Sequence, residues 1–172
     1  GIVPDMITMG KPMGNGIPIS GLAAKEDVLA AFSDKLPYFN TFGGNPVSIA
    51  AAQAVLKYIK DENLQEHCKK AGAALLKALK EVQERHPESV GDVRGAGLFL
   101  GFEFVKNDGN KTPDKDMALN VIEMLRDEHI LTSVIGHYGN ILKLRPPMVF
   151  SENDIDWFAT SLDKCITKLE NK

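Results

Sequence analysis

The chain has 172 residues, 44% hydrophobic and 25% charged, with a net charge of −3. That mix suits a globular chain with a core, and it gives no electrostatic reason to expect nucleic acid or an acidic membrane surface as partner. No apolar run approaches the roughly 20 residues that a membrane-spanning helix needs.

Two cysteines, Cys68 and Cys165, are too few for a disulfide framework, and neither they nor the scattered histidines have metal-ligand spacing. No metal is expected, and a reducing, cytoplasmic setting is. The opening Gly1-Ile2-Val3-Pro4-Asp5 shows neither a starting methionine nor a signal peptide, so a piece of a longer protein is the expectation.

In chain order, residues 6–9 form a short apolar run, read as a strand that ends at Gly10. Gly10, Pro12, Gly14, Asn15, Gly16 and Pro18 make the next stretch a loop. A second strand is expected within 17–24, a short helix over 26–32, and a turn-rich loop over 37–44. Asn45-Pro46 signals a helix start, because Asn suits the N-cap and Pro at the first helical position loses no hydrogen bond. Val47, Ala50, Ala51, Ala54, Val55, Tyr58 and Ile59 then recur at helical spacing.

Asn63 is read as the cap of the next helix, whose stripe is Leu64, Cys68, Ala71, Leu75, Leu79 and Val82, ending near His86-Pro87. Strands follow over 90–94 and 98–105, joined by Gly95-Ala96-Gly97, with a polar turn over 107–110. A third helix spans 114–128. Strands over 130–135 and 141–145 flank the loop 136–140. Ser151-Glu152-Asn153-Asp154 has a capping-box pattern and opens a terminal helix with Ile155, Phe158, Leu162, Ile166 and Leu169 inward.

The best boundary lies near residues 61–63. Residues 1–62 look like the end of a larger α/β domain, and residues 63–172 like a smaller α+β domain with its own sheet.

Three side chains stand out. Lys11 follows a strand inside Thr8-Met9-Gly10-Lys11-Pro12-Met13-Gly14-Asn15-Gly16. Flanking glycines permit tight bending and close approach of a ligand, and a partly desolvated lysine amine can attack a carbonyl to form a Schiff base. Pro12 stands where a Walker A loop needs Ser or Thr, which excludes that motif. Thr41, ahead of two glycines and a helix start, offers a hydroxyl at an anion-binding position, or is part of a simple turn and cap. Arg145 ends a strand before two prolines and can grip a carboxylate with two parallel hydrogen bonds, or join a structural ion pair. Arg94, near a glycine turn, reads as a brace for the small domain. His137 and Tyr138 read as a surface loop.

Four motifs in one order carry a family resemblance. The segment 4–18 resembles the pyridoxal-phosphate (PLP) lysine segment of class III, ornithine-type aminotransferases. Thr41-Phe42-Gly43-Gly44-Asn45-Pro46 resembles that family's second signature. Arg94-Gly95-Ala96-Gly97-Leu98-Phe99-Leu100-Gly101 and Leu144-Arg145-Pro146-Pro147 resemble its small-domain motifs.

The resemblance implies an α/β fold, the C-terminal part of a fold-type-I PLP-dependent transferase. Residues 1–62 would end the large PLP-binding domain, and residues 63–172 would form the small domain. It further implies that Lys11 bonds PLP and then moves the substrate proton, and that Thr41 binds the cofactor phosphate of the neighbouring subunit in a homodimer. Arg145 would hold the substrate carboxylate, with an amino donor and an oxo acid as substrates.

A carboxylate for the pyridine nitrogen, an aromatic over the cofactor and a phosphate loop are expected before Gly1. The chain alone is therefore not expected to be a competent enzyme. Lys11-Pro12 before Met13-Gly14-Asn15-Gly16 is also similar to the branch holding alanine–glyoxylate aminotransferase 2-like proteins and ethanolamine-phosphate phospho-lyases. A phospho-lyase is one alternative; a non-catalytic structural or interaction fragment is another.

Overall fold

Side chains cap three of the helices, which fixes where they begin. The computed structural model describes residues 1–171. At α2 (Pro46–Asp61), Asn45 Oδ1 accepts from the N–H groups of Val47 and Ser48 at 3.0 and 3.3 Å. At α4 (Lys115–Asp127), Asp114 Oδ1 accepts from Met117 N–H at 2.9 Å. At α5 (Glu152–Glu170), Ser151 Oγ accepts from Asp154 N–H at 3.3 Å while Ser151 N–H donates to Asp154 Oδ2 at 2.8 Å, a reciprocal box. The remaining helices are α1 (Glu26–Ser33) and α3 (Leu64–Arg85).

The chain divides into two compact units, Gly1–Asn63 and Leu64–Lys172. In the second unit four strands form one antiparallel sheet in the order β3-β4-β6-β5: β3 (Val90–Ala96), β4 (Phe99–Phe104), β5 (Ser133–Ile135) and β6 (Ile141–Leu144). Alternation decides the faces. Leu100, Phe102, Phe104, Leu142 and Leu144 are buried, whereas Phe99, Gly101, Glu103, Lys143 and Arg145 are not.

The buried face packs with Leu75 and Leu79 of α3, Val121 and Leu125 of α4, and Leu162 and Ile166 of α5 in one core. Each such side chain contributes roughly 1.5–3 kcal/mol by leaving water. The α3 backbone comes close to the β3–β4 turn: a Cβ on Gly72 would lie 2.2 Å from the Gly97 carbonyl oxygen, so only glycine fits there.

The first unit holds a two-stranded antiparallel ribbon, β1 (Met6–Met9) with β2 (Gly21–Ala24), together with α1 and α2. Neither helix contains a buried residue, and Phe39, Phe42 and Val47 stand in the open. The stripe of α2 predicted from its spacing therefore exists as a face on which Ala51, Val55 and Ile59 are half-buried and none is fully buried.

Four boundaries differ from expectation. The second strand starts at Gly21 rather than 17, because Ile17 N–H closes a turn on the Gly14 carbonyl and Pro18 has no N–H to give a ladder. Asn63 takes a left-handed φ of 49° and its N–H donates to the Lys60 carbonyl at 3.2 Å, so it closes α2. β3 continues through Gly95 and Ala96, with Ala96 paired to Phe99 across a tight turn. The expected strand over 130–135 shortens to β5, since Ile130 N–H still bonds the Leu125 carbonyl at the end of α4.

Candidate functional site

Lys11 sits in a one-turn 3-10 helix (Lys11–Gly14) between β1 and β2. Its φ is 52°, the left-handed region that costs a non-glycine residue about 1–2 kcal/mol. Asn15 closes the turn with φ 48°, and its N–H donates to the Pro12 carbonyl at 2.9 Å. Gly14 is buried, and a Cβ there would press on Ile19 at 2.9 Å. The Lys11 side chain is exposed and makes no ion pair or hydrogen bond among the described residues. A strained backbone thus carries a free amine. The desolvation expected around that amine is not supplied by the described residues.

Thr41 lies in an exposed turn ahead of α2. Asn40 Oδ1 accepts from the N–H groups of Phe42 and Gly43 at 3.2 and 3.1 Å, and Asn45 takes the N–H groups of Val47 and Ser48. Two asparagines therefore already satisfy most of the backbone donors in which an anion site was expected. The Thr41 hydroxyl itself has no partner among the described residues.

In the second unit, Arg145 follows the last residue of β6, and Pro146 excludes further strand. Its guanidinium carbon lies 5.5 Å from the centre of the Phe99 ring, within reach of a cation–π contact. It has no carboxylate partner among the described residues, so the ion-pair alternative is not realised. Lys143, two residues earlier on the same strand face, is likewise unpaired.

Both cations border a groove of about 590 Å³ whose apolar wall includes Phe150, Trp157 and Phe158. The opposite case is Arg94, whose Nη1 donates to Asp92 at 2.5 Å and to Glu103 at 2.6 Å. The Glu103 bond, then the Asp92 bond, push this guanidinium above its usual range. Arg94 is the brace its position suggested.

Three groups escaped the sequence reading. His86 is buried, with Nδ1 2.7 Å from Glu170 and Nε2 3.1 Å from Asp163, which Arg85 also bonds at 2.7 Å. Burial pushes the Asp163 carboxyl up, but the bonds from Arg85 and then His86 outweigh it and hold the group below its ordinary range. The second group is Asn140, buried in the 136–140 loop, whose side-chain Nδ2 donates to the Phe104 carbonyl at 2.7 Å while its backbone carbonyl accepts Phe104 N–H at 2.9 Å. The third is Phe99, opposite Arg145 across the sheet. No composition signal marks any of these, because each pairing is set by register or by distant helices. Tyr138 of the same loop is exposed, its ring edge-on to His137.

The family model described as aminotransferase class-III matches residues 1–166. The chain belongs to the class-III aminotransferase family. Among its relatives, an ethanolamine-phosphate phospho-lyase homolog 1 from Caenorhabditis elegans is 45% identical over 97% of this chain and 36% of its own. An alanine–glyoxylate aminotransferase 2-like protein from Drosophila melanogaster is 39% identical over 96% of this chain and 34% of its own. A solved phospholyase from Arthrobacter, in complex with phosphoethanolamine, superposes with a TM-score of 0.92 at 38% identity, over 96% of this chain and 39% of that one.

The class-III chain thus spans about a third of the length of the curated relatives it matches. Its fold is α/β and corresponds to the C-terminal part of these enzymes. Among the described residues no helix is long and apolar enough to cross a membrane.

Proposed function

We propose that this chain is the C-terminal part of a PLP-dependent class-III enzyme that moves an amino group between an amino donor and an oxo acid. Residues 1–62 would end the large cofactor-binding domain and residues 63–172 would form the small domain. The observation that carries the reading is Lys11: a free, exposed amine on a left-handed backbone position just past a strand. Backbone positions of that kind cluster at active sites and ligand clamps, which supports the reading.

The side chains suit the cofactor's chemistry: the Lys11 amine would hold the aldehyde of PLP in its own subunit, and the Thr41 hydroxyl, without a partner among the described residues, would bind the phosphate of the neighbouring subunit's PLP. When bound, PLP acts as the electron sink for the reaction. Lys11, once released, would take the proton from the substrate Cα and return it elsewhere. Arg145, unpaired at the end of β6, would hold the substrate carboxylate with two parallel hydrogen bonds.

A homodimer is part of this reading, with Thr41 serving the partner's cofactor; the uncovered Phe42 and Val47 support a contact there. The cytoplasm is the proposed compartment, in keeping with two free thiols. These residues alone would not be competent, since the rest of the cofactor site is expected before Gly1.

A second reading is favoured by the 45% identity to a phospho-lyase homolog and the TM-score of 0.92 to a phospholyase. In it, the same Lys11 would take the Cα proton and the substrate would eject phosphate instead of exchanging its amino group.

One assay separates and tests both. Full-length protein given phosphoethanolamine releases inorganic phosphate if the second reading holds. Given an amino acid and an oxo acid, it forms the exchanged pair if the first holds. Lys11→Ala lowers either rate by at least about a hundredfold. Neither product, or full turnover by Lys11→Ala, contradicts the proposal.

A further inference from the structure

Arg145 is fixed at its backbone from three directions. The antiparallel register places Leu100 opposite Leu144, and continuing it by one residue sets Phe99 opposite Arg145 on the open face of the sheet. Pro146 and Pro147 stiffen the chain on the far side. Beyond them, the 148–150 loop is tied to the start of α3: His67 Nε2 donates to the Phe150 carbonyl at 3.0 Å, and Cys68 Sγ donates to the Met148 carbonyl at 3.7 Å. What remains free is the guanidinium end of a long side chain, with no carboxylate partner among the described residues. The group it meets is the Phe99 ring, at 5.5 Å.

Phe99 is out of place as a core residue. It is 59% exposed, while its strand neighbours Leu100, Phe102 and Phe104 supply the packing. A ring left in water on a sheet face contributes little to stability, but its π-face attracts a cation without using any of that cation's N–H donors. Arg94, five residues before the β4 start in the same motif, shows the contrast: its donors are occupied by Asp92 and Glu103.

We infer that Phe99 is a positioning residue for substrate binding, a platform that pre-orients Arg145 so that its donors stay open to an incoming carboxylate. This inference rests on the reading of Arg145 given under the proposed function. Pre-orienting a flexible arginine removes part of the ordering cost that a ligand otherwise meets on binding.

The test uses full-length holoprotein and propionate, which carries a carboxylate and no amino group. The Kd is read by calorimetric titration, and the KM for L-alanine is measured beside kcat. Phe99→Leu keeps an apolar side chain and removes the π-face. It raises both Kd and KM about two- to fivefold, the loss of one exposed cation–π contact, with kcat and melting temperature unchanged.

Phe99→Tyr restores the wild-type values, a rescue that a merely apolar role would not produce. Leu and Tyr variants that behave alike overturn the inference, as does a change in kcat without one in KM. Arg145→Ala separates the two claims. Should Arg145→Ala raise the propionate Kd while Phe99→Leu leaves it unmoved, the platform alone has failed. Should Arg145→Ala leave it unmoved, the carboxylate role of Arg145 has failed, and the platform with it.

Discussion

Helices α2 and α5 have apolar stripes of similar quality and opposite surroundings. α5 buries Ile155, Phe158, Leu162, Cys165 and Ile166 in a core shared with α3, α4 and the sheet, while α2 has no buried residue. The second unit holds its own core; the first has strands and helices whose apolar sides face solvent. The candidate cofactor residues, Lys11 and Thr41, belong to the unit without a core, and the candidate substrate residue, Arg145, to the unit with one. The second unit therefore has a core on which to hold its candidate side chain, and the first unit has none for its two.

Substitutions in equivalent stripes sharpen this contrast most. Leu162→Ala, in the fully buried core, lowers the stability of the second unit by about 2–5 kcal/mol in denaturant unfolding. Val47→Ala, on the open face of α2, changes that same transition by less than about 0.5 kcal/mol. Equal losses at the two sites would break the comparison.

Next in size is Gly72→Ala. Its new methyl has backbone, not a movable side chain, 2.2 Å away, so α3 must shift from the β3–β4 turn at a cost of about 1–3 kcal/mol. A melting temperature equal to wild type would show that the approach is looser than described.

Acid stability gives a third, smaller effect. The Asp163 carboxyl is held low, so the folded state keeps it ionised to lower pH than the unfolded chain does. Its stabilising contribution is complete above the ordinary carboxylate range and disappears as pH falls through the lowered value. Asp163→Asn removes that part of the acid limb while leaving Arg85 and His86 in place. An unchanged dependence of stability on pH between neutral and the acid transition would contradict the assignment.

Smallest of all is Lys57→Ala, which deletes an exposed i,i+4 pair with Asp61 on α2 and costs no more than about 0.5 kcal/mol.

The sequence made the helices legible where local chemistry decides them. Asn45-Pro46 and Ser151 through Asp154 act as caps because a side-chain oxygen next to free N–H groups needs no distant partner. Spacing alone also located the faces of α4 and α5. It could not say that the stripe of α2 would stay open, since periodicity records a preference for burial and not the presence of a cover.

Candidate residues follow the same division. Lys11 and Arg145 were visible because glycines and prolines bracket them in sequence. Phe99 under Arg145, His67 tied to Phe150, and His86 between Asp163 and Glu170 were not, because 46, 83 and 84 positions separate those partners and only the fold joins them.

The central claim concerns the amine of Lys11, and chemical capture tests it directly. Full-length protein is incubated with PLP, reduced with borohydride, digested and mapped by mass spectrometry. The account predicts the pyridoxyl adduct on the peptide containing Lys11 and its loss in Lys11→Ala. An unmodified Lys11 peptide, or an adduct confined to other lysines, would contradict it.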